Sequence, residues 1–221
     1  MLLLDAGNTF GGSGAEGRHS AALTVEAMGL MGYDALNLGE GEFLFGRPFL
    51  EEQRARASFP FLSANLVEPD SGERPYTPYV IVEAGRLRVG IVGLASPELY
   101  RGHALTAQDP HSALQAVLPE VEEAADLVIV LARMSDAEAV GLLNSVEGVN
   151  VLAIGGVGEL TTPPVAVNGA LLVQCPRWGM AVGELQVTGN TEGQIVDYRW
   201  SSGVLDERIA DDPQVVKLML R

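Results

Sequence analysis

The sequence predicts an α/β fold in which two β-sheets face each other and helices cover the outside. Short apolar strands alternate with helical patterns through the first part of the chain, which is typical of parallel strand pairs. After residue 160 the predicted strands follow one another without helices, so we predict a mostly antiparallel C-terminal third. A chain of 221 residues with 47% hydrophobic residues is long enough for one such core.

The first predicted unit is a strand, a glycine-rich loop, a helix and a second strand. Leu2 to Asp5 is an apolar run closed by an acid, which indicates a buried strand. Ser20 to Leu30 carries apolar residues at helical spacing, and Ala35 to Leu38 returns as a strand. Such a unit favours a parallel strand pair with a right-handed crossover.

The remaining elements follow from the same periodicities. The predicted helices span 49–57, 111–125, 137–145 and 214–220. The predicted strands span 59–65, 79–83, 87–94, 127–131, 149–154, 164–167, 171–175, 182–187 and 195–200, and the pair at 79–94 forms a hairpin. We predict one main domain at residues 1–208, followed by a linker-like helix at 209–221.

Composition argues against several kinds of partner. The formal net charge is -15, from 29 acidic and 14 basic residues, and the basic residues form no run. Nucleic acid is therefore not an expected partner, because its binding needs clustered Lys and Arg. No apolar run reaches the ~18 residues of a membrane span. The single cysteine, Cys175, cannot form an internal disulfide and is predicted to be a small core residue.

A candidate site follows the second predicted strand. Gly39-Glu40-Gly41-Glu42 places two glycines and two carboxylates directly after a buried run. Ligands of α/β proteins bind beyond the carboxyl ends of strands. This segment is therefore the first candidate for a functional site.

The glycine-rich loop offers a second possibility. Gly12 to Gly17 matches the G-x-G-x-x-G pattern of dinucleotide-binding loops, and Glu40 follows at the end of the next strand. The first glycine should turn directly off the strand so that the pyrophosphate meets the helix N-terminus, but Ala6 to Gly11 intervene. Nucleotide-cofactor binding through this loop is kept as an alternative, and a loop of small residues without a ligand is the simpler interpretation.

Several strand-end segments resemble the calcineurin-like metallophosphoesterases, and specifically the N-terminal catalytic domain of the 5'-nucleotidase group. The matching segments span residues 3–10, 31–46, 59–66, 89–97, 126–131, 155–156 and 164–183, in the order of the family. The resemblance implies a two-sheet α/β/β/α sandwich of metallophosphoesterase type. It also implies a periplasmic or extracellular location, although no signal peptide is recognisable in this sequence.

Family members hold two divalent metals through Asp, Asn and His, and the resemblance indicates that these ligands are replaced here. The first signature, D-x-H, would lie upstream of Met1, so we expect the first strand of the family to be missing. Asn8 stands for a bridging Asp, and Glu40 and Gly41 for the Asn and His of G-N-H-E. In the two later signatures a His is replaced by Arg133, and a His pair by Val157 and Glu159.

These substitutions predict a vestigial pocket without a catalytic residue, metal or cofactor. Its predicted members are Asn8, Glu40, Gly41, Glu42, Arg133, Val157 and Glu159. Arg133 has no lone pair to give a metal, so we hypothesise that its guanidinium replaces the positive charge of the metals and pairs with Glu40, Glu159 or both. The simpler alternative is that one of Glu40 and Glu42 binds loop amides and the other faces water.

The predicted function is a degenerate phosphoesterase domain that serves as a non-catalytic binding or structural module for an unknown small molecule or protein. One alternative is an active phosphoesterase with unusual ligands, which would need Mn²⁺, Zn²⁺ or Mg²⁺. A residual oxygen site for Mg²⁺ or Ca²⁺ at Asn8, Glu40 and Glu159 is a further possibility, although Arg133 opposes it. The histidines His19, His103 and His111 fall at none of the signature positions.

Overall fold

The structure is a computed structural model that describes residues 1–158, 162–176, 179–190 and 193–220. For residues 156–158, 175 and 176 only the backbone is described. Within these residues the helices are Gly14–Met31 (α1), Arg47–Arg56 (α2), Pro110–Ala124 (α3), Asp136–Ser145 (α4) and Pro213–Met219 (α5). Short 3-10 helices cover Gly41–Phe43 and Pro97–Tyr100.

The strands are short at the start of the chain and longer afterwards. They are Leu4–Asp5 (β1), Ala35–Asn37 (β2), Phe61–Leu62 (β3), Leu66–Val67 (β4), Tyr79–Ala84 (β5), Leu87–Ala95 (β6), Thr106–Ala107 (β7), Leu127–Arg133 (β8), Val151–Gly158 (β9), Val165–Val167 (β10), Ala170–Pro176 (β11), Ala181–Gly189 (β12) and Ile195–Val204 (β13).

Most of the strands belong to two sheets. A six-stranded sheet has the order β10-β11-β9-β8-β6-β5, and its inner strands β11, β9, β8 and β6 run parallel. A three-stranded parallel sheet has the order β1-β2-β3. The antiparallel hairpin β12-β13 and the small pair β4-β7 lie outside both.

The two sheets pack face to face. Helices α3 and α4 cover one face of the six-stranded sheet. Its other face packs against the three-stranded sheet, where Leu131 belongs to the same apolar cluster as Leu4. Beside them Val151 packs with Trp200 of the hairpin. Helices α1 and α2 cover the outer side of the three-stranded sheet. The predicted α/β/β/α sandwich is thereby confirmed.

Several local predictions need correction. Helix α1 begins at Gly14, so Gly14 to Gly17 of the predicted glycine-rich loop form the first turn of a helix, and Ser13 stands at its N-cap. The predicted strand at 59–65 is reduced to Phe61–Leu62, and the chain then forms β4, which pairs with the unpredicted β7. In the C-terminal third β11 runs parallel to β9, which is an exception to the antiparallel pattern.

The final helix lies close to its predicted position. Helix α5 packs against α1 and buries Leu218, which is 2% exposed. Whether residues 209–221 form a linker stays a prediction. In the described part of the chain, none of the helices combines the length and the apolar character that crossing a membrane requires.

Candidate functional site

The candidate site lies where strands of both sheets end. Side chains alternate between the two faces of a strand, so Arg133 at the end of β8 shares a face with Leu131, which packs toward the three-stranded sheet. The segment after β2 carries Glu40, and the loop after β1 carries Asn8. The structure therefore brings together residues that lie far apart in the sequence.

Arg133 forms a bidentate ion pair with Glu40. Its Nη2 donates to Oε1 of Glu40 at 2.8 Å, and its Nε donates to Oε2 at 3.1 Å. Its Nη1 donates to the backbone oxygen of Gly155, after the middle of β9, at 3.0 Å. The Arg133 side chain is 15% exposed and that of Glu40 is 25% exposed. The contact that the sequence predicted between Arg133 and Glu40 is present.

Glu42 has a different role from Glu40. Its side chain is buried at 0% exposure and accepts hydrogen bonds from backbone amides of two segments. Oε2 accepts from Asn8 at 2.9 Å and from Gly39 at 2.7 Å, and Oε1 accepts from Thr9 at 2.6 Å. A longer bond of 3.4 Å comes from the amide of Phe10. Glu42 thus ties the loop after β1 to the segment after β2.

The Asn8 side chain packs tightly against Gly41. Asn8 has φ 71°, a left-handed conformation that Asn tolerates better than most residues. A Cβ atom placed on Gly41 would collide with Oδ1 of Asn8 and lie 3.1 Å from its Cγ. A Cβ on Gly39 would lie 2.9 Å from the amide nitrogen of Asn8 and 3.2 Å from Cγ of Arg133. The glycines after β2 therefore allow the two segments and Arg133 to approach.

Three further residues support the site, and sequence reasoning did not single them out. Asn37 is buried in β2, and its Nδ2 donates to Ala6 at 3.0 Å and to Leu94 at 2.9 Å, which joins the two sheets. Asp5 accepts from the Gly7 amide at 2.7 Å and from the Thr9 hydroxyl at 3.0 Å. The Tyr100 hydroxyl donates to Leu38 at 3.3 Å. A polar residue in an otherwise apolar strand was the available signal for Asn37.

Burial controls the ionisation of the carboxylates in this region. It raises the pKa of Glu42 from 4.5 to about 7, the amide of Asn8 opposes that rise, and the charge of Asp5 adds to it. Burial also raises the pKa of Asp5, against the hydrogen bonds from Gly7 and Thr9. Burial and the negative charges of Glu42 and Glu40 raise the pKa of Tyr100, so its hydroxyl stays protonated and donates.

We expect the wild-type chain to lose stability relative to a Glu42→Gln variant as the pH rises from about 5 to about 8. A carboxyl with a raised pKa binds its proton more tightly in the folded state, so its contribution is fully present below pH 4.5 and is lost through about pH 7. This rise in pKa corresponds to on the order of 3 kcal/mol. Denaturant unfolding of both proteins across the pH range measures the difference in their free energies of unfolding. A difference that does not change with pH would contradict the prediction.

The residues at the strand ends do not fit the dimetal centre that the resemblance implies. Arg133 cannot ligate a metal, and its guanidinium holds the carboxylate of Glu40. Both oxygens of Glu42 face backbone amides. Over the ranges that the structure describes, no three His, Cys, Asp or Glu side chains are grouped so that they could hold a metal ion.

Two predicted members of the pocket cannot be placed. The side chain of Val157 and all of Glu159 lie outside the described residues. The role of the seven residues as a vestigial pocket stays a prediction. Of the histidines, His103 packs its ring against that of Tyr100, with centroids 5.4 Å apart.

No family model matches the chain. The 5'-nucleotidase of Vibrio cholerae is 29% identical over 251 residues, which covers 93% of this chain and 42% of that protein. The structure of a 5'-nucleotidase precursor from Thermus thermophilus superposes with a TM-score of 0.86 at 26% identity, covering 99% of this chain and 48% of the other. The calcineurin-like phosphoesterase YfkN from Bacillus subtilis superposes with a TM-score of 0.82 at 21% identity, covering 99% and 81%.

The chain resembles the 5'-nucleotidases and has the calcineurin-like phosphoesterase fold. It spans about half the length of the curated relatives that it matches. The alignment with the Vibrio cholerae protein is longer than the 221 residues of this chain, so that relative carries segments with no counterpart here. What the whole relatives do therefore does not transfer to this phosphoesterase-like chain by similarity alone.

Proposed function

We propose that this chain is a degenerate 5'-nucleotidase-like phosphoesterase domain without a dimetal centre, and that it serves as a non-catalytic binding or structural module. The observation that carries the proposal is the bidentate pair of Arg133 and Glu40 at the strand ends. A fixed cation at this position repels metal ions, and a carboxylate already engaged by Arg is a poor ligand.

The rest of the site supports the same function. Both carboxylate oxygens of Glu42 accept hydrogen bonds from loop amides, which is a structural role. Asn8 fills the space that a side chain at Gly41 would need. A nucleophile or general base at residue 41 would require both positions to change. The resemblance to exported enzymes supports a periplasmic or extracellular location, which fractionation of the natural host would test.

We expect the purified chain to contain no stoichiometric divalent metal and to show no metal-dependent hydrolysis. Elemental analysis measures the first quantity. Turnover of a generic phosphate monoester and of nucleotides, with added Mn²⁺, Zn²⁺ or Mg²⁺, measures the second. The Vibrio cholerae 5'-nucleotidase serves as the positive control. Stoichiometric metal together with metal-dependent turnover would overturn the proposal in favour of an active phosphoesterase.

A further inference from the structure

The guanidinium of Arg133 is held in place independently of Glu40. Its Nη1 donates to the backbone oxygen of Gly155 at 3.0 Å, and its Cγ lies so close to Gly39 that a Cβ atom placed there would be 3.2 Å away. The backbone of Arg133 belongs to β8, which pairs with β6 and β9, and its carbonyl accepts from the amide of Ser96 at 2.8 Å. None of these contacts involves the carboxylate of Glu40, which supports a pre-organised fork formed by Nε and Nη2 of Arg133.

The carboxylate of Glu40 is bound by Arg133. Within the described residues its carboxylate accepts hydrogen bonds only from Nε and Nη2 of Arg133, and a quarter of its side chain is exposed. Glu42, two residues further on, is fully buried and accepts from amides of two segments. The Glu42 side chain is therefore fixed. The Glu40 side chain is partly exposed, and among the described residues it would lose only its bonds to Arg133 if it moved into solvent.

Among the described residues, the surroundings of the fork include the exposed side-chain amide of Asn8 and the carboxylates of Glu42 and Asp5. Asn8 is exposed, lies against Gly41, and its side-chain amide has no hydrogen bond to the described residues. That amide is available to a ligand beside Glu40. The carboxylates of Glu42 and Asp5 oppose an anion, but backbone amides neutralise part of the charge of each.

We propose that the Nε and Nη2 edge of Arg133 is a binding site for a small oxyanion, which the protein's own Glu40 occupies as an internal ligand. Carboxylate and phosphate groups both present two oxygens that match the arginine fork, as Glu40 itself does here. The inference rests on the proposed function, because a dimetal centre at these strand ends would be incompatible with an arginine-based anion site.

Glu40 acts as a competitor that is tethered next to the site. A tethered group has an effective concentration of millimolar or more, so an external oxyanion binds the wild-type chain weakly. Withdrawal of Glu40, by a partner or by mutation, exposes the fork. Because Glu42 anchors the 3-10 turn Gly41–Phe43 that follows, such a withdrawal would be a rotation of the Glu40 side chain toward solvent.

The test is titration of inorganic phosphate, by isothermal calorimetry in the presence of a chelator, into the wild type and two opened variants, Glu40→Ala and the more conservative Glu40→Gln. We expect Glu40→Ala to bind phosphate at least about tenfold more tightly than the wild type. Adding Arg133→Met to it should abolish the gain. The matched control is Glu98→Ala, which frees Arg101 from an exposed pair whose side chains are 63% and 76% exposed, and should resemble the wild type.

A parallel titration with acetate distinguishes a site that accepts carboxylates and phosphates from one that accepts only phosphate. Binding of acetate as well as phosphate supports a general carboxylate and phosphate site, and phosphate alone supports a phosphate-specific one. If both folded opened variants bind neither anion better than Glu98→Ala does, the anion site is refuted and the pair is only structural. Metal-dependent hydrolysis by the wild type would instead refute the proposed function, so the two failures are distinguishable.

Discussion

Glu42→Ala is expected to lower the free energy of unfolding by about 4 kcal/mol. The substitution removes the acceptor for the amides of Asn8, Thr9 and Gly39, which lie 2.9, 2.6 and 2.7 Å from the fully buried carboxylate. A buried amide without an acceptor costs about 1–3 kcal/mol, and water entering the space replaces part of the loss. Chemical denaturation at neutral pH, followed by circular dichroism, measures the change.

Glu40→Ala is the matched control for this prediction. It makes the same change two residues away, at a side chain that is 25% exposed and has Arg133 as its partner. Its cost is expected to be about 1 kcal/mol, because solvent screens the charge that remains on Arg133. Equal losses from the two substitutions would show that the amide contacts of Glu42 contribute no more than a partly exposed ion pair.

Arg133→Glu is expected to destabilise the chain by about 3 kcal/mol. The reversal breaks the bidentate pair and the bond to Gly155, and it places a third carboxylate beside Glu40 and Glu42. Loss of the pair itself accounts for about 1 kcal/mol, as in Glu40→Ala. The rest comes from the lost bond to Gly155 and from repulsion between carboxylates in a largely buried site. The same unfolding measurement applies.

Arg101→Glu provides the comparison for this charge reversal. Arg101 pairs with Glu98 on the surface, where the two side chains are 76% and 63% exposed, and reversing it should change stability by less than about 0.5 kcal/mol. A loss for Arg133→Glu no larger than that for Arg101→Glu would refute the view that the strand-end pair stabilises the site. Double reversal, Glu40→Arg with Arg133→Glu, should recover part of the loss.

Local sequence patterns predicted the elements of the fold better than the pairings between them. The hairpin of β5 and β6, and helices α3 and α4, lie within a residue or two of their predicted bounds. The start of α1 at Gly14 was missed because glycine and serine usually indicate a loop, and here Gly17 is buried within the first turns. The β4-β7 pair and the parallel register of β11 on β9 depend on partners far along the chain.

The site was predictable in its composition but not in its geometry. Comparison with the family motifs placed Glu40 and Arg133 at strand ends, and charge pairing predicted their contact. Neither motif nor periodicity showed that Glu42, rather than Glu40, would take the amides after β1. The two carboxylates differ by only two positions in the sequence, and the amides of Asn8, Thr9 and Gly39 that bind Glu42 come together with it only in the folded chain.

By itself the sequence determined the acidic charge and, through local periodicity, most of the order of strands and helices. That Asn8, Glu40, Gly41 and Arg133 replace metal-binding residues is a prediction from the resemblance. Only the tertiary structure decided that the end of β8 meets the segment after β2, so that Arg133 pairs with Glu40 while Glu42 is buried. The reason is that contacts between two sheets are set by long-range packing, which no local window of the sequence contains.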